Sequence, residues 1–338
     1  SHTKKKAERG VSMHRYSDKV NPKKIGIVGC GNVGATIAYT LMGSGMFTEM
    51  ALLDANEAKA RGEAMDLNHC LPFIAPMQIY PGSYAALSDA SVVVIAAGAG
   101  QKEGETRLDL LRRNLTIFEE IVHQISSVNR DCILLVVSNP VDILTYITHK
   151  LSGFPASRVI GSGTVLDTAR LKYLVGSKLR VDSRNVHTFI IGEHGDSELA
   201  VWSSANVSGI DLRDYCPIGD SDGGGLGDLY GIFDYVKNSA YEIIRDKGAT
   251  FYAIAQSTKR IITSIVNDEH TILPVSTLLD GHYGIDDLCM SVPAVVGSGG
   301  VEYVLDIPLN PDENRRLAHS ASVLRDAIRS LEAETVLL

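Results

Sequence analysis

His194 stands in the polar turn Gly192-Glu193-His194-Gly195-Asp196-Ser197, directly behind an apolar run at residues 186–191. A histidine followed by glycine in such a turn is not placed like a core residue, and an imidazole titrating near neutral pH can both give and take a proton. Asp167 and Arg170, in Asp167-Thr168-Ala169-Arg170, are three apart and so share one face of a helix. From there the carboxylate can point at an imidazole and the guanidinium can grip a carboxylate with two parallel hydrogen bonds. Arg107 ends the stretch from Gly98 to Thr106, whose glycines permit a mobile lid able to swing a cation onto a carbonyl. These residue types fit acid/base work on a small substrate bearing both a carbonyl and a carboxylate. Each has an ordinary alternative: a surface salt bridge for either arginine, a plain turn for His194. Their joint order behind the motif described next is what gives them weight.

Residues 29–34 read Gly-Cys-Gly-Asn-Val-Gly, after an apolar run at 25–28 and before a helix-like stretch at 35–42, with Asp54 twenty residues beyond Gly34. Gly29 permits a tight turn, Gly31 lets the backbone approach a pyrophosphate, and Gly34 lets the helix sit close on the sheet. The helix N-terminus then faces the phosphates with unpaired N–H groups. Asp54 closes the run at 50–53, where its carboxylate can accept from both ribose hydroxyls of NAD and would repel the 2′-phosphate of NADP. NAD is the expected cofactor, and the chemistry becomes hydride transfer to a small keto acid. Asn139, in Val137-Ser138-Asn139-Pro140 at the end of a later run, can reach both the nicotinamide and the substrate oxygen.

The elements that must position these groups follow from the spacing of apolar residues. Runs at 25–28, 51–53, 92–97, 133–137 and 159–160 alternate with helical patterns at 57–68, 108–128 and 141–151. Strands apolar throughout are covered on both faces, so the expected fold class is α/β, a doubly wound parallel Rossmann sheet. From about residue 164 the pattern changes to a long helix, a strand pair around 186–192, more helix, and short strands near 291–296 and 301–305. That half reads as an α+β substrate and catalytic domain. Its last helix carries the stripe Leu317, Ala321, Leu324, Ile328 and Leu331. The expected division is a flexible arm at 1–20, a dinucleotide-binding domain at 21–163 and a catalytic domain at 164–335.

With 338 residues, 45% of them hydrophobic, the chain can build two domains around large cores. Its net charge of −8 argues against a nucleic-acid or anionic-membrane partner. No apolar stretch approaches the ~20 residues of a membrane helix, and no signal-peptide pattern opens the sequence, so a cytoplasmic protein is expected. Five scattered cysteines without a CxxC pair read as reduced thiols, and no metal site is expected. The glycine cluster at 223–227 has acids around it and no following lysine, so it reads as a surface loop rather than a phosphate cradle.

The strings GCGNVG, GAGQKEGETR, VSNPVD, LDTAR, GEHGDS and KGAT together resemble the L-lactate/malate dehydrogenase family, from about Lys24 to Ala333. The resemblance implies that His194 is the proton donor and acceptor, Asp167 orients it, Arg170 binds the substrate carboxylate and Arg107 polarises the carbonyl. It also implies that Thr250 contacts the substrate side chain and that Ile254 packs on the nicotinamide. The cofactor set it implies comprises Gly29, Gly31, Val33, Gly34, Asp54, Lys59, Tyr84, Gly98, Ala99, Val137, Ser138, Asn139 and Ile254. Members acting on malate resemble one another in an arginine at the lid position held here by Gln101. A neutral glutamine would leave the second carboxylate of oxaloacetate unpaired in a dry pocket, so the implied pair is pyruvate and L-lactate. The family further implies a homotetramer. His187 and Lys172 resemble the anion site of members activated by fructose 1,6-bisphosphate, with lysine in place of arginine at 172.

Overall fold

The computed structural model describes residues 19–99, 107–215 and 227–332, with the backbone alone at 107–108, 227–230 and 332. The arm at 1–18, the lid from 100 to 106 with Gln101, and most of the glycine cluster at 223–227 lie outside the described residues.

The first half alternates β1 (Asn21–Val28), α1 (Asn32–Met42), β2 (Glu49–Leu53), α2 (Glu57–His69), β3 (Gln78–Pro81), β4 (Ala90–Ile95), α3 (Arg107–Val128), β5 (Ile133–Val136), α4 (Val141–Ser152) and β6 (Val159–Gly161). The six strands are parallel in the order β3-β2-β1-β4-β5-β6. This is the order of a dinucleotide-binding sheet, with its crevice where the chain reverses direction beyond the ends of β1 and β4. Alternate residues explain why the strands are apolar throughout. Ile25, Ile27, Val92 and Val94 pack with residues of α1 and α2, while Val28, Val93 and Ile95 pack with residues of α3 and α4 on the opposite face.

The second half runs α5 (Val165–Leu179), β7 (Val186–His187), β8 (Ile190–Ile191), β9 (Leu199–Ala200), β10 (Asn206–Val207), β11 (Ile210–Asp211), α6 (Gly227–Lys247), α7 (Tyr252–Val266), β12 (Thr271–Asp280), β13 (Asp286–Gly297), β14 (Gly300–Val304) and α8 (Pro311–Glu332). One expectation needs correcting. The segments at 186–192 do not pair with each other: β7 joins β10, and β8 joins β9. The later strands continue the first sheet: β12 pairs antiparallel with β6 at Ser276 and Gly161, and β13 and β14 follow it to make nine strands among the described residues. The stripe on α8 docks as its spacing predicts, all five side chains joining the core cluster of β4, α3 and α4. Among the described residues no helix is long and apolar enough to cross a membrane.

Candidate active site

The glycine-rich turn meets the physical demands placed on it. Gly29 has φ +99°, and a Cβ there would lie 2.4 Å from Ala97 N, so the first glycine is required by both conformation and space. A Cβ on Gly34 would lie 1.8 Å from Gly29 O, so the third glycine lets α1 touch the turn. A Cβ on Gly31 would meet nothing within 4 Å, which leaves the N-terminus of α1 open to a phosphate group. Asp54, just past β2, accepts from Cys30 N at 2.7 Å and from Asn56 N at 2.8 Å. Its carboxylate therefore already holds the glycine turn and keeps lone pairs for ribose hydroxyls. Val33 and Ile254 lie half-buried on one core cluster, bringing α1 and α7 to the same side of the sheet. Lys59 is exposed on α2, capped at its N–H by Asn56, and Tyr84 lies half-buried on the opposite cluster.

Beyond the ends of β4 and β5, Ser138 Oγ donates to Ala97 O, and Asn114 joins the two loops by accepting from Ala99 N at 2.8 Å and donating to Asn139 O at 3.3 Å. Gly98 lies against the same Asn114 side chain. Val137 is buried and Asn139 exposed, as a residue facing a ligand must be. Asn114 was missed by the sequence reading. Its signal is a polar residue on the α3 face otherwise occupied by Leu111, Leu115 and Phe118.

On α5 and the turn after β8, Asp167, Arg170 and His194 come together. His194 Nδ1 lies 2.6 Å from Asp167 Oδ2, and Arg170 Nη1 donates to Asp167 Oδ1 at 2.9 Å. The Asp167 side chain is 4% exposed and that of His194 27%, so the carboxylate is enclosed while the imidazole keeps an open side. Burial alone would lower the imidazole, but the charge and hydrogen bond of Asp167, helped by Glu198 and Asp142, raise it from 6.5 to about 9. Asp167 itself is held below its ordinary value: burial opposes this, and the charges of His194 and Arg170 prevail. Two further acids stand close. Burial raises Glu198 to about 9, and one of its carboxylate oxygens lies within 4.8 Å of a carboxylate oxygen of Asp167 and a ring nitrogen of His194. Burial raises Asp142 to about 6, against hydrogen bonds that include His194 N–H at 2.7 Å.

The turn is also fixed from α8. Ser320 Oγ accepts from Glu193 N at 2.7 Å and lies 3.0 Å from Ser197 Oγ. Asp142, Glu198 and Ser320 were not identified from sequence. Ser320 does interrupt the apolar face of α8 between Leu317, Ala321 and Leu324, a signal of the same kind as Asn114. Thr250 sits half-buried between α6 and α7. Arg107 begins α3, beside the lid, with only its backbone described. Lys172 is half-buried on α5, where burial lowers its pKa, and His187 is exposed on β7.

A dinucleotide sheet combined with an imidazole held on a buried carboxylate, and a guanidinium on that same carboxylate, defines an NAD-dependent oxidoreductase. The chain belongs to the lactate/malate dehydrogenase family, matching that family's NAD-binding domain over residues 23–161 and its alpha/beta C-terminal domain over residues 164–335. It is 53% identical over 310 residues to L-lactate dehydrogenase of Acetivibrio thermocellus, covering 92% of this chain and 98% of the relative. It is 49% identical over 309 residues to L-lactate dehydrogenase 1 of Clostridium acetobutylicum, covering 91% and 98%. Among solved structures it resembles the minor L-lactate dehydrogenase of Enterococcus mundtii in its ligands-bound form, with a TM-score of 0.87 and 43% identity over 91% of this chain and 98% of that one. A lactate dehydrogenase from a Medee basin deep-sea metagenome library superposes with a TM-score of 0.88 at 45% identity, covering 93% and 99%.

Proposed function

We propose that the chain interconverts pyruvate and L-lactate with NADH and NAD. The observation that carries this reading is the shared carboxylate: Asp167 holds the imidazole of His194 on one oxygen and the guanidinium of Arg170 on the other. An acid/base group and a carboxylate-binding group are thereby set side by side, as a 2-keto acid with adjacent carbonyl and carboxylate requires. Bound NADH supplies the hydride.

His194, charged at neutral pH, donates its proton to the carbonyl oxygen, and Asp167 stabilises the imidazolium and fixes its tautomer. Arg170 keeps donors beyond the one given to Asp167 and takes the substrate carboxylate. Arg107 strengthens the developing alkoxide from the lid, Asn139 orients the carbonyl and ring, and Gln101 with Thr250 favours a methyl over a second carboxylate. Residues 21–163 form the cofactor half and 164–335 the catalytic half. The finer reading also includes a cytoplasmic homotetramer with a fructose 1,6-bisphosphate site at Lys172 and His187. A panel of pyruvate, oxaloacetate and longer 2-keto acids with NADH and NADPH tests the central assignment. Fastest turnover with pyruvate and NADH is expected, and a preference for oxaloacetate would overturn it.

A further inference from the structure

Asp142 is 2% exposed and is the second residue of α4, two positions after Pro140 and three after Asn139. Its Oδ2 accepts the backbone N–H of His194 at 2.7 Å, and its Oδ1 accepts from Ser291 Oγ on β13 at 3.1 Å. Ser291 exchanges backbone hydrogen bonds with Gly192, at 2.9 and 3.1 Å. One carboxylate thus closes a ring through α4, β13 and the turn that carries the imidazole. Burying a carboxylate is costly unless its oxygens are paired, and these are paired with groups that fix the turn. The bond also crosses between the family's two domains, since Asp142 lies in the first and His194 in the second.

We propose that Asp142 is a positioning residue that sets the His194 turn in register with Asn139 and the cofactor-binding half. Bonded to the His194 N–H, its carboxylate also places a buried negative charge beside the imidazole. The inference rests on the acid/base reading of His194. His194 is faced by the carboxylates of Asp167 from α5 and Asp142 from α4 and by Glu198 from the segment after the turn, which burial keeps protonated at neutral pH; Arg170 pairs with Asp167, and Lys237 from α6 with Arg316 and His319 from α8 line a cavity with Glu198. Cys289 on β13 also neighbours Asp142, and burial with the charge of Asp142 pushes its thiol well up, so it stays neutral.

Two substitutions separate positioning from mere support of the fold. Asp142→Ala leaves the His194 N–H without an acceptor, whereas Asp142→Asn keeps an oxygen for that N–H and turns its amide toward Ser291 Oγ, which can accept. Asp142→Ala is expected to lower kcat for pyruvate reduction about 10²-fold, the scale of a misplaced reacting group, while NADH affinity by fluorescence titration stays within about twofold. Asp142→Asn is expected to recover most of kcat yet move the alkaline midpoint of activity down by about one pH unit, because a negative charge beside the imidazole is gone. If Asp142→Ala does not fold, the midpoint of Asp142→Asn decides alone. An unshifted midpoint in Asp142→Asn, or an Asp142→Ala kcat within a few-fold of wild type, overturns the proposal. Following the His194 imidazole by NMR titration in the wild type and Asp142→Asn needs no turnover. It therefore distinguishes failure of this inference from failure of the pyruvate reading.

Discussion

Replacing Asp167 by asparagine removes the charge that keeps His194 protonated, and the size of the effect follows from the site. Burial alone would carry the imidazole below its ordinary 6.5, and Asp167 is the foremost group holding it at about 9 instead. At pH 7.5 an imidazole with the latter value is about 97% protonated, and one at 6.5 about 9%, so the loss of the proton alone costs pyruvate reduction about tenfold. Misorientation adds to that loss, because an amide can no longer stabilise the imidazolium at 2.6 Å. The assay is the pH profile of NADH oxidation with saturating pyruvate. The wild-type alkaline limb is expected near pH 9, and that of Asp167→Asn near or below 6.5. Stability should follow the same pair. The raised His194 value contributes stability that is complete below about 6.5 and is lost as pH rises through about 9, while the lowered Asp167 value contributes stability present above 3.8 and lost as pH falls through its folded value. Melting temperature against pH should therefore be flatter at both ends in Asp167→Asn. An alkaline limb that stays at the wild-type position would refute the reasoning.

The remaining predictions concern the cofactor turn and the lid. Gly31→Ala should fold with unchanged melting temperature, since the added methyl meets nothing within 4 Å, yet bind NADH at least about tenfold more weakly because the methyl stands where the pyrophosphate must approach. Gly34→Ala should lose about 3 kcal/mol or more of stability in denaturant titration, because its methyl would lie 1.8 Å from Gly29 O. Asp54→Ser with a nearby arginine should shift preference from NADH toward NADPH. Because Asp54 also holds Cys30 N–H, it should cost about 1–3 kcal/mol of stability as well, and an unchanged cofactor ratio would remove Asp54 as the ribose ligand. Gln101→Arg should raise oxaloacetate turnover and depress pyruvate turnover, and a fixed ratio of the two would place specificity elsewhere.

How much of this molecule was legible in its sequence depended on how local the determining physics is. The parallel strands announced themselves because both faces are covered and their residues run apolar, as at Val92–Ile95 within β4. By contrast β12 escaped notice: it places Pro274, Ser276 and Thr277 in a fully paired strand, with Pro274 opposite Pro293. Proline argues against a central strand when read locally, and the hydroxyls interrupt the apolar run that marks one covered on both faces. Here Ser276 and Thr277 are buried at 0% and 2%, tolerated because β6 and β13 enclose them. The short edge strand β3, ending in Pro81, gave too few residues for a period to show.

The same division runs through the candidate active site. Asp167 and Arg170 could be related by helical spacing, and His194 by its turn, each within six residues. Asp142 meets His194 across 52 positions, Asn114 meets Asn139 across 25, and Ser320 meets Glu193 across 127. No periodicity links such pairs; only the packing of α3, α4 and α8 against one sheet does. What the sequence does contain is the local half of each pair, a polar residue on a helix face whose neighbours are apolar. Asn114 among Leu111, Leu115 and Phe118, and Ser320 between Leu317, Ala321 and Leu324, are of this kind. Burying such a residue without a partner costs more than one hydrogen bond returns, so a polar residue in an apolar stripe implies a partner elsewhere in the chain. In this protein those partners are the loops that carry Ala99, Asn139 and His194, so the interruptions in the helix stripes mark where the loops of the candidate site are held.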